Sequence, residues 1–246
     1  MNLLAIETSS PRGSIAICID GEVRFFKDWQ RPKGRPRKGE KFLSHSEMVG
    51  MAIEEGLKEC DLTMKSFDHL LTSIGPGSFT GIRVGLAAVK SFAFALDIPC
   101  YGYTSLQVLA EKGRDQNLPV LTLVNAYKNQ VYAAAYKSET LELQWGPEAL
   151  PLDQLESRLS EEKYFALGDG LEVYREDFCE KVRQKINLSN ESLIQYPNAA
   201  ELTQLHLKQQ DFSQNCRWTD LNPLYLRASE AEEKLQAGLL KPVEEL

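Results

Sequence analysis

The chain is poor in the residues that most metal and redox sites need. It has three histidines, His45, His69 and His206, and no two stand at the i, i+4 spacing of a helical ligand pair. Its five cysteines are scattered and form no C-x-x-C pair, which points to a reducing compartment and away from disulfides or a zinc site. No apolar run approaches the ~20 residues of a membrane helix. The start, Met1 to Glu7, has no basic region and an early acid, so it does not read as a secretory signal. An excess of basic charge is also missing: the net charge is −7, which argues against a general nucleic-acid coating protein. These absences together lead to the expectation of a cytoplasmic protein.

What is present is an ordinary globular composition, 43% hydrophobic and 26% charged over 246 residues, enough for one large domain or two modest ones. The organising stretch is Gly75-Pro76-Gly77-Ser78-Phe79-Thr80-Gly81. It lies between an apolar strand, His69 to Ile74, and a helix running to Leu96. Thr80 is expected to cap that helix. Such a corner either gathers backbone N–H groups into an anion cradle beside the helix dipole or simply turns the chain tightly between two core elements. Nucleotide-loop labels fail: no Lys follows Gly81 as a Walker A loop requires, and the glycine spacing misses the dinucleotide fingerprint. The helix itself carries only Arg83 and Lys90 as charges. One apolar stripe (Ile82, Leu86, Val89, Ala93, Leu96) and one small-residue stripe (Gly81, Gly85, Ala88, Ala95) call for cover on two sides, by a sheet and by a closely approaching helix of this chain or a partner.

In chain order, Leu3 to Thr8 reads as a buried strand, and Ser14 to Ile19 with Val23 to Trp29 as a hairpin about Asp20-Gly21. Lys27 to Lys41 holds seven basic residues against two acids, a solvated loop or a phosphate-backbone contact. Ser44-His45-Ser46-Glu47 is a capping box opening a helix to about Cys60, whose Met48, Met51 and Ala52 form a second apolar patch. Pro99 to Tyr103 is a strand and Ser105 to Lys112 a short helix. A composition break near residues 113–118 opens a second lobe. Its strands are Pro119 to Asn125, Val131 to Tyr136 with an extension at Leu141 to Trp145, and Tyr164 to Leu167. Its helices are Leu152 to Leu159, Leu171 to Val182 and Asn198 to Leu207. The order gives mixed sheets flanked by helices, an α/β architecture. The expected lobes are 1–112 and 113–227, followed by a flexible tail at 228–246, and no internal sequence repeat is visible. Glu7 and Asp169, just past strand ends, have the position from which acids hold Mg²⁺ beside phosphates, or serve as plain turn residues.

The run Gly75 to Gly85 closely resembles the glycine-rich signature of the TsaB (YeaZ) family of bacterial tRNA threonylcarbamoyladenosine biosynthesis. Leu4-Ala5-Ile6-Glu7-Thr8-Ser9, His45-Ser46-Glu47, Asn125-Ala126-Tyr127 and Pro223-Leu224-Tyr225-Leu226-Arg227 resemble its further motifs in the same order. The resemblance implies the actin-like, ASKHA (ribonuclease-H-like) fold in two lobes. It implies a non-catalytic subunit that pairs with the catalytic paralogue TsaD and the ATPase TsaE in a complex that modifies tRNA. It places the partner surface on the first two helices: His45, Met48, Val49, Met51, Ala52, Gly81, Arg83, Gly85, Ala88, Phe92 and Ala95. A homodimer is the implied alternative for the free chain. A nucleotide, ATP or ADP with Mg²⁺, would meet Glu7, Thr8, Ser9, Gly168, Asp169 and Gly170; no resident metal is implied. Glu7 and Asn125 stand where the family usually has Asp, which weakens intrinsic ATP hydrolysis. The competing expectation is a stand-alone actin-like ATPase or small-molecule kinase.

Overall fold

The computed structural model describes residues 1–30, 43–160, 163–188, 195–208 and 217–228. Most of the basic stretch and the tail beyond Ala228 lie outside the described residues. The first sheet comprises β1 (Asn2–Glu7), β2 (Arg12–Ile19), β3 (Glu22–Gln30), β4 (His69–Gly75) and β5 (Cys100–Thr104), in the order β3-β2-β1-β4-β5. β1 alternates with period two: Leu3 and Ala5 face one side of the sheet, Leu4 and Ile6 the other. The Leu4 and Ile6 side is covered by α1 (His45–Glu59) and α2 (Phe79–Leu96). The capping box at α1 forms as expected: Ser44 N–H donates to Glu47 Oε2 at 2.9 Å, and Ser44 Oγ accepts from Glu47 N–H at 3.3 Å.

The second sheet comprises β6 (Val120–Asn125), β7 (Gln130–Tyr136), β8 (Leu143–Pro151), β9 (Tyr164–Leu167) and β10 (Ile186–Leu188). Its order, β8-β7-β6-β9-β10, is that of the first sheet. In both, the first strand is antiparallel to the second and parallel to the fourth, and the second is antiparallel to the third. The chain therefore repeats one topology twice, although its sequence shows no repeat. Several elements differ from expectation. The extension at Leu141 to Trp145 is a full strand, β8, reaching Pro151. The expected helix at Leu152 to Leu159 is a 3₁₀ turn and the single turn α4 (Leu155–Arg158). The one expected over Leu171 to Val182 is split into α5 (Gly170–Val173) and α6 (Glu180–Lys185).

The lobes are joined through two helices. α3 (Ser105–Ala110) follows β5 but packs on β6 and β7, whereas α7 (Ala199–Leu207) follows the second sheet but packs on β1, β2 and β4. Asn198 caps α7 as expected, and Ala199 N–H donates to Ser14 Oγ of β2 at 2.9 Å. One core thus runs from Leu3 and Leu71 through Leu106, Leu109, Leu202 and Leu205 to Val120 and Ala134. At this junction the structure joins two histidines that are 137 positions apart. His69 Nδ1 lies 2.9 Å from His206 Nε2, and Tyr103 Oη lies 2.7 Å from His206 Nδ1.

Candidate partner face and interlobe cleft

The glycine corner is built by contact with β1. The helix cap is Ser78 and not Thr80: Ser78 has extended backbone, and its Oγ accepts from Gly81 N–H at 3.2 Å, so α2 starts two residues earlier than expected, at Phe79. Ser78 N–H itself donates to Ser9 O at 2.6 Å, and Thr8 Oγ1 donates to Gly81 O at 2.7 Å. A Cβ at Gly77 would sit 2.2 Å from Ser9 O, and one at Gly81 would sit 1.9 Å from Thr8 O. These glycines let the start of α2 lie directly on the end of β1. Among the N–H groups that could cradle an anion, those of Ser78, Gly81 and Ile82 are committed within the protein.

This packing corrects the expected partner surface. Gly81 and Gly85 face inward, since a Cβ on Gly85 would meet Thr8 Oγ1 at 2.7 Å and Thr72 Oγ1 at 2.8 Å. Val49 and Ala52 belong to the core under α1. His45 is buried, and its Nδ1 accepts from Trp29 Nε1–H at 3.0 Å. The small side chains of that stripe serve sheet contact at its start and solvent-facing surface further along. Met51, 52% exposed, Arg83 and Ala95 do lie on the surface, with Met48, Ala88 and Phe92 half-buried. Ala87, Ser91 and the 68%-exposed Phe94 extend this surface, and the half-buried Val84 lies beside them. Their helical positions carried that signal, but the sequence does not show which side of α2 meets the sheet.

Between the lobes lies a cleft of about 720 Å³. Pro76, Gly77, Ser78 and Phe79 form one wall, Asn125 to Lys128 and Asp169 the other, and Leu224 to Arg227 close one side. Of the residues expected to meet a nucleotide, Ser9 and Asp169 line it. Glu7 does not: it is fully buried, accepting from Ser9 N–H at 2.7 Å, from Ser9 Oγ at 2.5 Å and from Ser73 Oγ. Burial pushes its carboxyl up, against the lowering pull of those bonds. Thr8 is likewise buried beneath Gly81. Gly168 and Gly170 pack on Leu123 O, at 2.1 and 2.8 Å from the positions their Cβ atoms would take. Asp169 Oδ1 accepts from Asn125 N–H at 2.9 Å, and burial raises its carboxyl above the usual range. Glu7 and Asn125 close the first strands of their two sheets; the acid of the second lobe, Asp169, instead follows the fourth strand, β9, and is held by the Asn125 N–H. Among the described residues, no group of three or more His, Cys, Asp or Glu could hold a metal ion.

The family model for TsaD, tRNA N6-adenosine threonylcarbamoyltransferase, matches residues 42–235. The tRNA threonylcarbamoyladenosine biosynthesis protein TsaB of Haemophilus influenzae is 27% identical, over 96% of this chain and 97% of that protein. The chain belongs to this family, as a TsaB (YeaZ) member. The Buchnera aphidicola TsaB is 28% identical over 64% of this chain and 75% of its own. The structure of YeaZ from Pseudomonas aeruginosa superposes with a TM-score of 0.76 at 23% identity, covering 92% of this chain and 99% of that one. The TsaB fold is thus the two-lobe actin-like arrangement, and the duplicated sheets are its two halves.

Proposed function

We propose that the chain is a non-catalytic scaffold subunit in tRNA threonylcarbamoyladenosine synthesis, docking a TsaD-like catalytic paralogue and supporting a TsaE-like ATPase, with tRNA engaged through the complex. The observation that carries this reading is the outer surface of α1 and α2. α1 presents Met48 and Met51, and α2 presents a nearly uncharged strip of Val84, Ala87, Ala88, Ser91 and Ala95, on helices whose inner sides are already packed on the sheet. Small side chains let a second helix approach closely, and exposed methionines adapt to a partner. The sealed carboxylate of Glu7 supports the non-catalytic part, because an acid that is fully buried and already engaged by three donors is not open to a metal ion beside a phosphate.

The test is co-elution with the TsaD-like paralogue on a sizing column. Met51→Glu and Ala87→Arg change exposed positions and should abolish the heterodimer while leaving the fold intact. Retained co-elution of the double variant would overturn the docking reading. The competing ATPase reading has the cleft and Asp169 in its favour; calorimetry with Mg-ATP separates the two, since turnover by the isolated chain belongs only to the enzyme.

A further inference from the structure

The segment Arg217 to Arg227 belongs to neither helix face nor sheet, yet it tracks α2 from end to end. Trp218 meets Phe94 edge-on at 5.2 Å. Lys90 Nζ donates to Leu221 O at 3.2 Å, and Arg83 Nε donates to Tyr225 Oη at 2.9 Å. The Tyr225 ring stacks on Phe79 at 4.6 Å. Phe79, Arg83, Lys90 and Phe94 follow one line down the helix, their spacings of four, seven and four returning to the same side. Leu224 N–H donates to Ile74 O at 2.7 Å, fastening the segment to the end of β4. The chain then crosses to the second lobe, where the Arg227 guanidinium donates to Ala126 O and Tyr127 O.

The turn that Arg227 grips is a strained one. Tyr127, Lys128 and Asn129 have φ of 60°, 52° and 57°, three successive non-glycine residues in the left-handed region. Its closing bonds are Ala126 N–H to Gln130 O at 3.0 Å and Gln130 N–H to Tyr127 O at 3.1 Å. The same turn supplies Tyr127 and Lys128 to the wall of the cleft.

We propose that residues 217–227 are a mechanical strap that ties the flank of α2 to this turn, so that the state of the helix surface sets the lip of the interlobe cleft. The reason is directional contact at both ends. Arg83 holds the strap by a charge-assisted bond to Tyr225, and two residues later Arg227 holds the turn by another. A partner that offers a carboxylate to the exposed Arg83 takes away one of the two holds of α2 on Tyr225, the other being its stack on Phe79, and the grip on the turn loosens with it. That clause rests on the docking reading above; the strap itself does not.

The experiment uses the full chain without any partner and reads amide hydrogen exchange at Ala126 and Gln130. Arg83→Met and Tyr225→Phe should each speed exchange at these two amides by roughly tenfold, while the amides in the middle of α2 keep their wild-type rates. Arg227→Met should do the same, and combining it with Arg83→Met should add nothing, because both cut one connection. Wild-type rates at Ala126 and Gln130 in Tyr225→Phe, which loses a single hydroxyl from a half-exposed ring, overturn the proposal. So does simple additivity of the two arginine variants. Retained TsaD co-elution in the docking test overturns only the proposed function, so the two readings fail independently.

Discussion

Gly81→Ala separates a packing role for the glycine run from a surface role, because the two predict opposite signs. A glycine on an open helix surface gains about 0.5–1 kcal/mol on replacement by alanine, through helix propensity alone. At Gly81 the new Cβ would stand 1.9 Å from the carbonyl oxygen of Thr8, a backbone atom that no rotamer change can move. Restoring an ordinary contact means shifting the start of α2 off β1 by more than 1 Å. That breaks the 2.7 Å bond from Thr8 Oγ1 to Gly81 O and disturbs the 2.6 Å bond from Ser78 N–H to Ser9 O. Overpacking of this kind costs about 1–3 kcal/mol, and each disturbed bond about 1 more. After subtracting the propensity gain, the net loss is about 3 kcal/mol, or a fall in Tm of roughly 6–12 °C for a chain of this size. Gly50 is the internal control: it lies on the exposed side of α1 with nothing within 4 Å of its would-be Cβ. Gly50→Ala should raise Tm by a degree or more. The assay is thermal unfolding by circular dichroism of both variants beside the parent. If Gly81→Ala matches Gly50→Ala, the idea that this glycine exists for contact between helix and strand is wrong.

The histidine junction should make stability depend on pH. Burial lowers His206 from 6.5 to about 4, and it lowers His69 too. The folded state therefore resists a proton that the unfolded state accepts, so stability is full above pH 6.5 and is lost as pH falls toward 4. Discounted for solvent screening, the loss from His206 between pH 7 and 5 is roughly 1–2 kcal/mol. Urea unfolding at both pH values should show it, and the slope should be smaller in His206→Gln; an unchanged slope refutes the assignment. Ser73→Ala leaves one oxygen of the buried Glu7 without its donor and should cost about 1–3 kcal/mol in the same assay. Glu111 accepts from Arg114 and, at 2.5 Å, from Lys208, tying α7 to the turn after α3. Glu111→Ala should destabilise by about 2–4 kcal/mol by leaving the buried Arg114 guanidinium uncompensated, and an undiminished unfolding midpoint would contradict that.

The local elements were legible because their signals are local. The capping box at Ser44, the Asp20-Gly21 hairpin and the Asn198 cap each act within four residues, and the structure contains all three. The glycine run marked the corner of the fold, and its order with the other motifs placed the chain in its family. Which side of α2 would remain open was not legible. Helical spacing puts Gly81, Gly85, Ala88 and Ala95 on one stripe, but contact with β1 claims the first two and leaves Ala95 in solvent. The strap escaped notice because Arg83 and Tyr225 are 142 positions apart, and no periodicity links them.

By itself, then, the sequence determined where the strands and most helices form, that the chain turns sharply at Gly75 to Gly81, and which family it joins. The elements and the turn depend on propensities and signals between near neighbours, the family on the order of the motifs along the chain. Only the tertiary structure decided that the two sheets repeat one topology, that α3 and α7 cross over to each other's sheet, and that Glu7 is sealed by Ser73 while Asp169 opens on the cleft. Those outcomes follow from burying apolar faces contributed by distant segments. Backbone geometry and hydrogen bonding conserve such an arrangement even when the side chains that fill it have diverged.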